Sequence, residues 1–125
     1  MVVRVVDASA LVALVFVEAE AEQISDRLGD FDLAAPALLQ FELANACLMK
    51  LRRNPDRRDA ILRQYFSQAT MLIETRDVDQ AEVLDLAEQF RLTAYDASYL
   101  WLARELGAEL VTLDRQLARA AASLR

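Results

Sequence analysis

Histidine is absent from this chain of 125 residues. Its absence excludes imidazole general bases, Ser-His-Asp and Cys-His catalytic groups, and His-ligated zinc together. Cys47 is the one cysteine, so neither an intrachain disulfide nor a cysteine zinc cluster can form. It lies among apolar neighbours in residues 43–48 and reads as buried filler, and the low cysteine usage suits a reducing compartment. Glycine and proline number two each, too few for a sandwich of many tight turns or for a flexible linker. Lysine occurs once, as Lys50. The longest apolar run, residues 8–17, is about half of the roughly 20 residues that a membrane span needs. No charged leader with an export-type cleavage site precedes it. A soluble, cytoplasmic protein without membrane attachment is expected.

Apolar residues are plentiful. They make up 55% of the chain, which is enough for a real core and excludes global disorder. The length fits a single domain over residues 1–125. The formal charge is −6. An acidic surface repels phosphate backbones at long range, so a protein that coats nucleic acid is disfavoured. Any nucleic-acid activity must rest on a local site, with bound cations or a basic patch.

Residues 2–6 form a β-branched run broken only by Arg4 and read as a buried strand. Residues 8–17 and 19–28 read as helices, with Gly29 as a stop signal. Residues 33–35 suggest a second strand, ended by Pro36. Residues 37–53 suggest a long helix whose apolar positions spread round more than one face, which predicts heavy burial. Asn54-Pro55 breaks it, and Asp56 opens a helix to residue 69. Residues 71–73 are a third strand candidate. Asp77 is placed to cap a helix reaching Phe90, and Asp96 to cap an apolar helix ending at Leu106 before Gly107. Residues 110–113 form a fourth strand, and Asp114 begins a final helix. Strands alternating with helices predict a three-layer α/β/α domain with a short, mainly parallel sheet. In such folds chemistry gathers outside the carboxyl ends of the strands.

Of twenty acidic residues, sixteen lie in plainly polar stretches. Asp7, Glu42, Asp96 and Asp114 do not. A carboxylate near a core is costly unless paired or coordinated, and no nearby run of cations matches these four. If they converge, their repulsion calls for an outside cation. Hard divalent ions such as Mg²⁺ accept a few carboxylates together with water and substrate phosphate. That arrangement supports phosphodiester hydrolysis and needs no histidine. Asp7, Asp96 and Asp114 read equally well as helix N-caps. Glu42 does not, because it lies mid-helix between Phe41 and Leu43. Asn45, three residues on, shares its helical face and is placed to orient it or a water.

Four blocks in order now show a resemblance. Val5-Val6-Asp7-Ala8-Ser9-Ala10-Leu11, Phe41-Glu42-Leu43-Ala44-Asn45-Ala46, Tyr95-Asp96-Ala97-Ser98-Tyr99-Leu100 and Leu110-Val111-Thr112-Leu113-Asp114-Arg115-Gln116-Leu117 resemble the motifs of PIN-domain ribonucleases of the VapC type. These are the toxin halves of type II toxin–antitoxin pairs. The resemblance runs from Val5 to Leu117. It implies that Asp7, Glu42, Asp96 and Asp114 are a metal-binding acidic quartet, with Ser9 and Thr112 as supporting hydroxyls. Ser9 reads equally as a helix cap, and Thr112 as an ordinary strand residue. The implied activity is Mg²⁺- or Mn²⁺-dependent cleavage of single-stranded or loop RNA, of the tRNA or rRNA class. The implied partners are a small cognate antitoxin and a second copy in a homodimer. Many relatives carry a further strand after the last helix. The apolar β-branched run it needs is missing here, so the sheet is expected to have four strands, or five closed differently.

Local charge runs against the overall charge. Lys50, Arg52, Arg53, Arg57, Arg58 and Arg63 face only Asp56 and Asp59 within residues 50–63. The arginine fork suits phosphate, although a solvated helix end explains the run equally well. Arg115 is a further candidate RNA contact. Tyr65, Phe66, Tyr95, Tyr99 and Trp101 are spaced as core or interface residues rather than as a stacking platform. Residues 11–17 and 99–103 are more apolar than a helix with one solvated face needs, which predicts surface that meets another chain. Two other functions compete: a different α/β phosphoryl-handling protein, and a PIN-like binding module with a degenerate site. Asp7-Ala8-Ser9 lacks the second acid of a dehalogenase-type phosphatase, and no lysine follows Lys50 as a receiver domain requires.

Overall fold

The computed structural model describes residues 2–68 and 71–124. Four strands form one parallel sheet: β1 (Val3–Val6), β2 (Asp32–Pro36), β3 (Ile73–Arg76) and β4 (Glu109–Val111). Their spatial order is β3-β2-β1-β4. The chain steps outward from β1 to β3 and then returns to add β4 on the other side of β1. The reversal puts the topological switch point at the carboxyl ends of β1 and β4, where parallel α/β sheets place their sites.

Helices α1 (Ala8–Val15) and α2 (Ala21–Leu28) connect β1 to β2. Helix α3 (Leu38–Arg53), a 3-10 turn at Pro55–Arg57 and α4 (Arg58–Ser67) connect β2 to β3. Helices α5 (Gln80–Phe90) and α6 (Ala94–Leu106) connect β3 to β4, and α7 (Arg115–Ser123) follows. Helix α6 lies against β1, β2 and β4, with α5 and α7 beside it, while α1 to α4 pack among themselves and onto β2 and β4. This is the three-layer α/β/α arrangement. The core joins Val5 and Val6 of β1, Ala34 and Ala35 of β2, and Leu110 and Val111 of β4 to Leu100 and Leu102 of α6 and Leu11 of α1.

Several boundaries differ from the sequence expectation. Helix α1 ends two residues early, because Val17 takes the left-handed region at φ 51° and turns the chain. Pairing in β2 carries through Pro36, the last strand residue, where a missing N–H interrupts no further ladder. Strand β3 starts at Ile73 rather than at residue 71, and its Glu74, Thr75 and Arg76 are exposed. It is an edge strand, and polar residues guard its open side. Helix α5 is capped by Asp79, not Asp77. The expected end of α4 at residue 69 lies outside the described residues. Among the described residues the sheet has four strands and no fifth.

Burial corrects three further expectations. The apolar run at residues 99–103 is spent inside the chain, whereas residues 11–17 are only partly so, with Val12 and Leu14 half-buried and Val17 exposed. Leu11, Ala13, Val15 and Phe16 are buried, and so is every residue from Tyr99 to Ala103. Helix α6 is sandwiched between the sheet and its neighbours, so it is apolar all round. Helix α3, by contrast, buries only Leu39, Leu43 and Cys47. Phe41, Leu48 and Met49 are exposed on its outer side. Tyr95 and Phe66 are also exposed, so they are not core residues.

Candidate active site

Asp7 follows β1 directly, and its backbone N–H continues the sheet by donating to the Val111 carbonyl at 3.2 Å. The carboxylate is 4% exposed. Oδ1 accepts from the Ala10 backbone N–H at 3.0 Å and from the Ser9 hydroxyl at 2.7 Å. Oδ2 accepts from the Thr112 hydroxyl at 2.5 Å. Asp7 thus caps α1 and is also gripped from β4. Ser9 is not the cap. It lies inside the first turn, donates to Asp7 and accepts from the Leu113 N–H at 3.0 Å. Thr112, buried just past β4, accepts from the Asp114 N–H at 3.0 Å. Two hydroxyls therefore tie the end of β1 to the loop that carries Asp114.

Asp114 is exposed and caps α7 by accepting from the Leu117 N–H at 2.9 Å. Asp96 is not a cap. Thr93 takes that role, its hydroxyl accepting from the Asp96 N–H at 3.0 Å. The Asp96 carboxylate lies half-buried in the first turn, with the Thr93 hydroxyl beside it. Glu42, on α3, is half-buried and accepts from the Tyr99 hydroxyl of α6 at 2.6 Å. Asn45 is exposed one turn further on, and no hydrogen bond joins it to Glu42 among the described residues.

The four acids share one electrostatic field. Burial pushes Asp7 above the ordinary carboxylate range, its three hydrogen bonds pull it back, and the charge of Asp114 raises it further. Burial likewise raises Glu42, with Asp96 and Asp7 adding to the rise and the Tyr99 hydrogen bond opposing it. Asp96 is raised by burial and then by Asp114 and Asp7, with the Thr93 hydrogen bond opposing the rise. Asp7 and Asp96 thus lie within electrostatic reach of each other and of Asp114, and Glu42 within reach of Asp7 and Asp96. Among the described residues no ion pair touches any of them, although Arg4, Arg27, Lys50, Arg76 and Arg104 all pair with other acids. Every donor that holds Asp7, Glu42 and Asp114 is neutral.

Such a set of hard oxygen donors, mutually repelling and without a cation partner, fits a divalent ion. The acids do not form a closed cage. Among the described residues no three of them are close enough together to enclose an ion unaided. Mg²⁺ is suited to this spacing, because it keeps several waters and takes few carboxylates directly.

Lys50 is engaged with Glu18 at 2.9 Å and with the Phe16 ring. Arg52, Arg53, Arg57 and Arg58 are exposed and make no ion pair among the described residues, and Arg115 is exposed beside Asp114. Arg52 stands about 15 Å along α3 from Glu42, at 1.5 Å per residue. Sequence reasoning missed two contributors, the Thr93 cap and the Tyr99 hydroxyl. The pattern Thr93-Ala94-Tyr95-Asp96 carried the signal for the first.

The PIN domain family model matches residues 4–123. Ribonuclease VapC3 of Pyrobaculum aerophilum is 36% identical over 124 residues, covering 91% of each chain. The crystal structure of PAE2754 from Pyrobaculum aerophilum matches with a TM-score of 0.74 at 32% identity, over 95% of this chain and 86% of that one. Family model, fold and relatives agree, and the chain belongs to the PIN-domain family as a VapC-type member.

Proposed function

We propose that the protein is a divalent-metal-dependent endoribonuclease and the toxin of a toxin–antitoxin pair. One observation carries this reading: Asp7 is electrostatically coupled to Glu42, Asp96 and Asp114, and among the described residues none of the four is paired with a cation. The kinship with a protein named Ribonuclease VapC3 supports it.

The four acids would hold Mg²⁺ or Mn²⁺, which supplies a water of lowered pKa and stabilises charge on phosphoryl oxygens. Asp7 is locked by three hydrogen bonds and anchors the set. Asp96 is available because Thr93 caps its helix, and Glu42 keeps one oxygen outside its bond to Tyr99. Arg115 lies beside Asp114, where it can take a phosphate bidentately. The exposed arginines from Arg52 to Arg58 extend that contact to more distant phosphates. Tyr95, next to Asp96, offers an exposed ring to an unpaired base, in keeping with single-stranded or loop RNA of the tRNA or rRNA class. Phe41, Leu48 and Met49 form an apolar strip beside Glu42. A second protein chain, either the antitoxin or a homodimer partner, fits that strip. Among the described residues no helix is long and apolar enough to cross a membrane. We place the activity in the cytoplasm.

The purified protein is expected to cut RNA with Mg²⁺ or Mn²⁺ and to stop with chelator. Asp7→Asn and Asp96→Asn are each expected to slow cutting more than about a hundredfold, since even outer partners of a metal cost up to that much. Full activity in both variants, with unchanged circular dichroism, would reject the assignment.

A further inference from the structure

Tyr99 is a phenol buried to 1% exposure in the middle of α6. Its hydroxyl reaches Glu42 Oε1 at 2.6 Å. Asp96 and Tyr99 are three residues apart on one helix and therefore share a face. That face carries one acid of the site and the donor that grips a second acid on α3. No other hydrogen bond reaches the Glu42 carboxylate among the described residues, so Oε2 is left free.

A glutamate side chain has three rotatable bonds, and Glu42 on the partly exposed α3 would spread over several rotamers unless held. Tyr99 is fully buried in the core, on the helix that packs against the sheet and α5, so close packing makes its hydroxyl a rigid point of reference. Its neutrality matters as much as its rigidity. An arginine or lysine there would cancel the charge that a cation needs, whereas a phenol orients the carboxylate and leaves it anionic. We propose that Tyr99 is a positioning residue that fixes Glu42 through Oε1, so that Oε2 is presented to the divalent ion shared with Asp7, Asp96 and Asp114. The proposal rests on the reading of these acids as a cation site.

Tyr99→Phe removes one oxygen and keeps the ring. Mn²⁺ is titrated calorimetrically into the full chain as wild type, Tyr99→Phe, Glu42→Gln and the double variant, with metal-free melting recorded for each. Tyr99→Phe is expected to weaken Mn²⁺ binding about 10–100-fold, the usual cost of losing a partner that orients a ligand. It should add no further loss once Glu42 is Gln, because it acts through that carboxylate alone. Wild-type Mn²⁺ affinity in Tyr99→Phe, whatever its melting point, would overturn the proposal and leave the hydroxyl a packing contact between α3 and α6. So would a loss that adds in full to that of Glu42→Gln. Absence of Mn²⁺ binding in the wild type would overturn the cation site itself, and appears in the wild-type trace alone.

Discussion

At Asp7 a carboxylate is held at the end of a buried strand by three neutral donors and, among the described residues, by no cation. Burial outweighs those hydrogen bonds and raises its pKa above the ordinary 3.8. A folded-state pKa above the unfolded one means that the native state binds more protons across that window. Stability therefore falls as pH rises through it and is regained on acidification. Glu42 and Asp96 carry the same sign. Asp7→Asn keeps the shape and removes the charge. In metal-free buffer at neutral pH its melting midpoint is expected above that of the wild type, on the order of 1 kcal/mol or about 4 °C for a chain of this size. The gain should shrink as pH falls toward 3.8. A difference that grows on acidification would show that the hydrogen bonds, not burial, dominate at this residue. The four acids were legible in the sequence because each interrupts an apolar stretch. The hydroxyl of Tyr99 was not, because a phenol inside an apolar run reads as packing until its partner on a distant helix is known.

Helix starts decide which acids are free. Asp7 and Asp114 cap their helices and can still serve the proposed site, since one carboxylate oxygen suffices for a cap. At α6 the duties are divided: Thr93 caps, and Asp96 keeps its carboxylate for the proposed site. Thr93→Ala is expected to cost about 1 kcal/mol in urea denaturation. It should also slow RNA cleavage, because Asp96 becomes the nearest acceptor for its own helix end. Unchanged cleavage alongside the stability loss would show that the cap has no bearing on the acid. The order and kind of the elements could be read from periodicity and turn residues. The edge strand β3 was misplaced because Glu74, Thr75 and Arg76 have no apolar alternation to report. The burial of α3 was overstated for a related reason. Composition says how apolar a helix is, not how many neighbours surround it.

The whole molecule makes one place where distant parts of the chain meet. Alternating strands and helices imply a parallel sheet, and a parallel sheet implies a site at its carboxyl edge. The position of that site follows from the strand order β3-β2-β1-β4, which depends on long-range pairing that no local pattern records. The net charge of −6 is likewise resolved by distribution. Arg52 and Arg53 at the end of α3, and Arg57 and Arg58 just past it, make no ion pair among the described residues and stand apart from the four candidate acids. The central claim is that Asp7, Glu42, Asp96 and Asp114 share one small divalent cation. The direct measurement is anomalous diffraction from crystals of the wild-type protein soaked in Mn²⁺. A manganese peak is expected between these four carboxylates, lost in crystals of Asp7→Asn. A well-occupied peak elsewhere, or none between the four at saturating Mn²⁺, would contradict it.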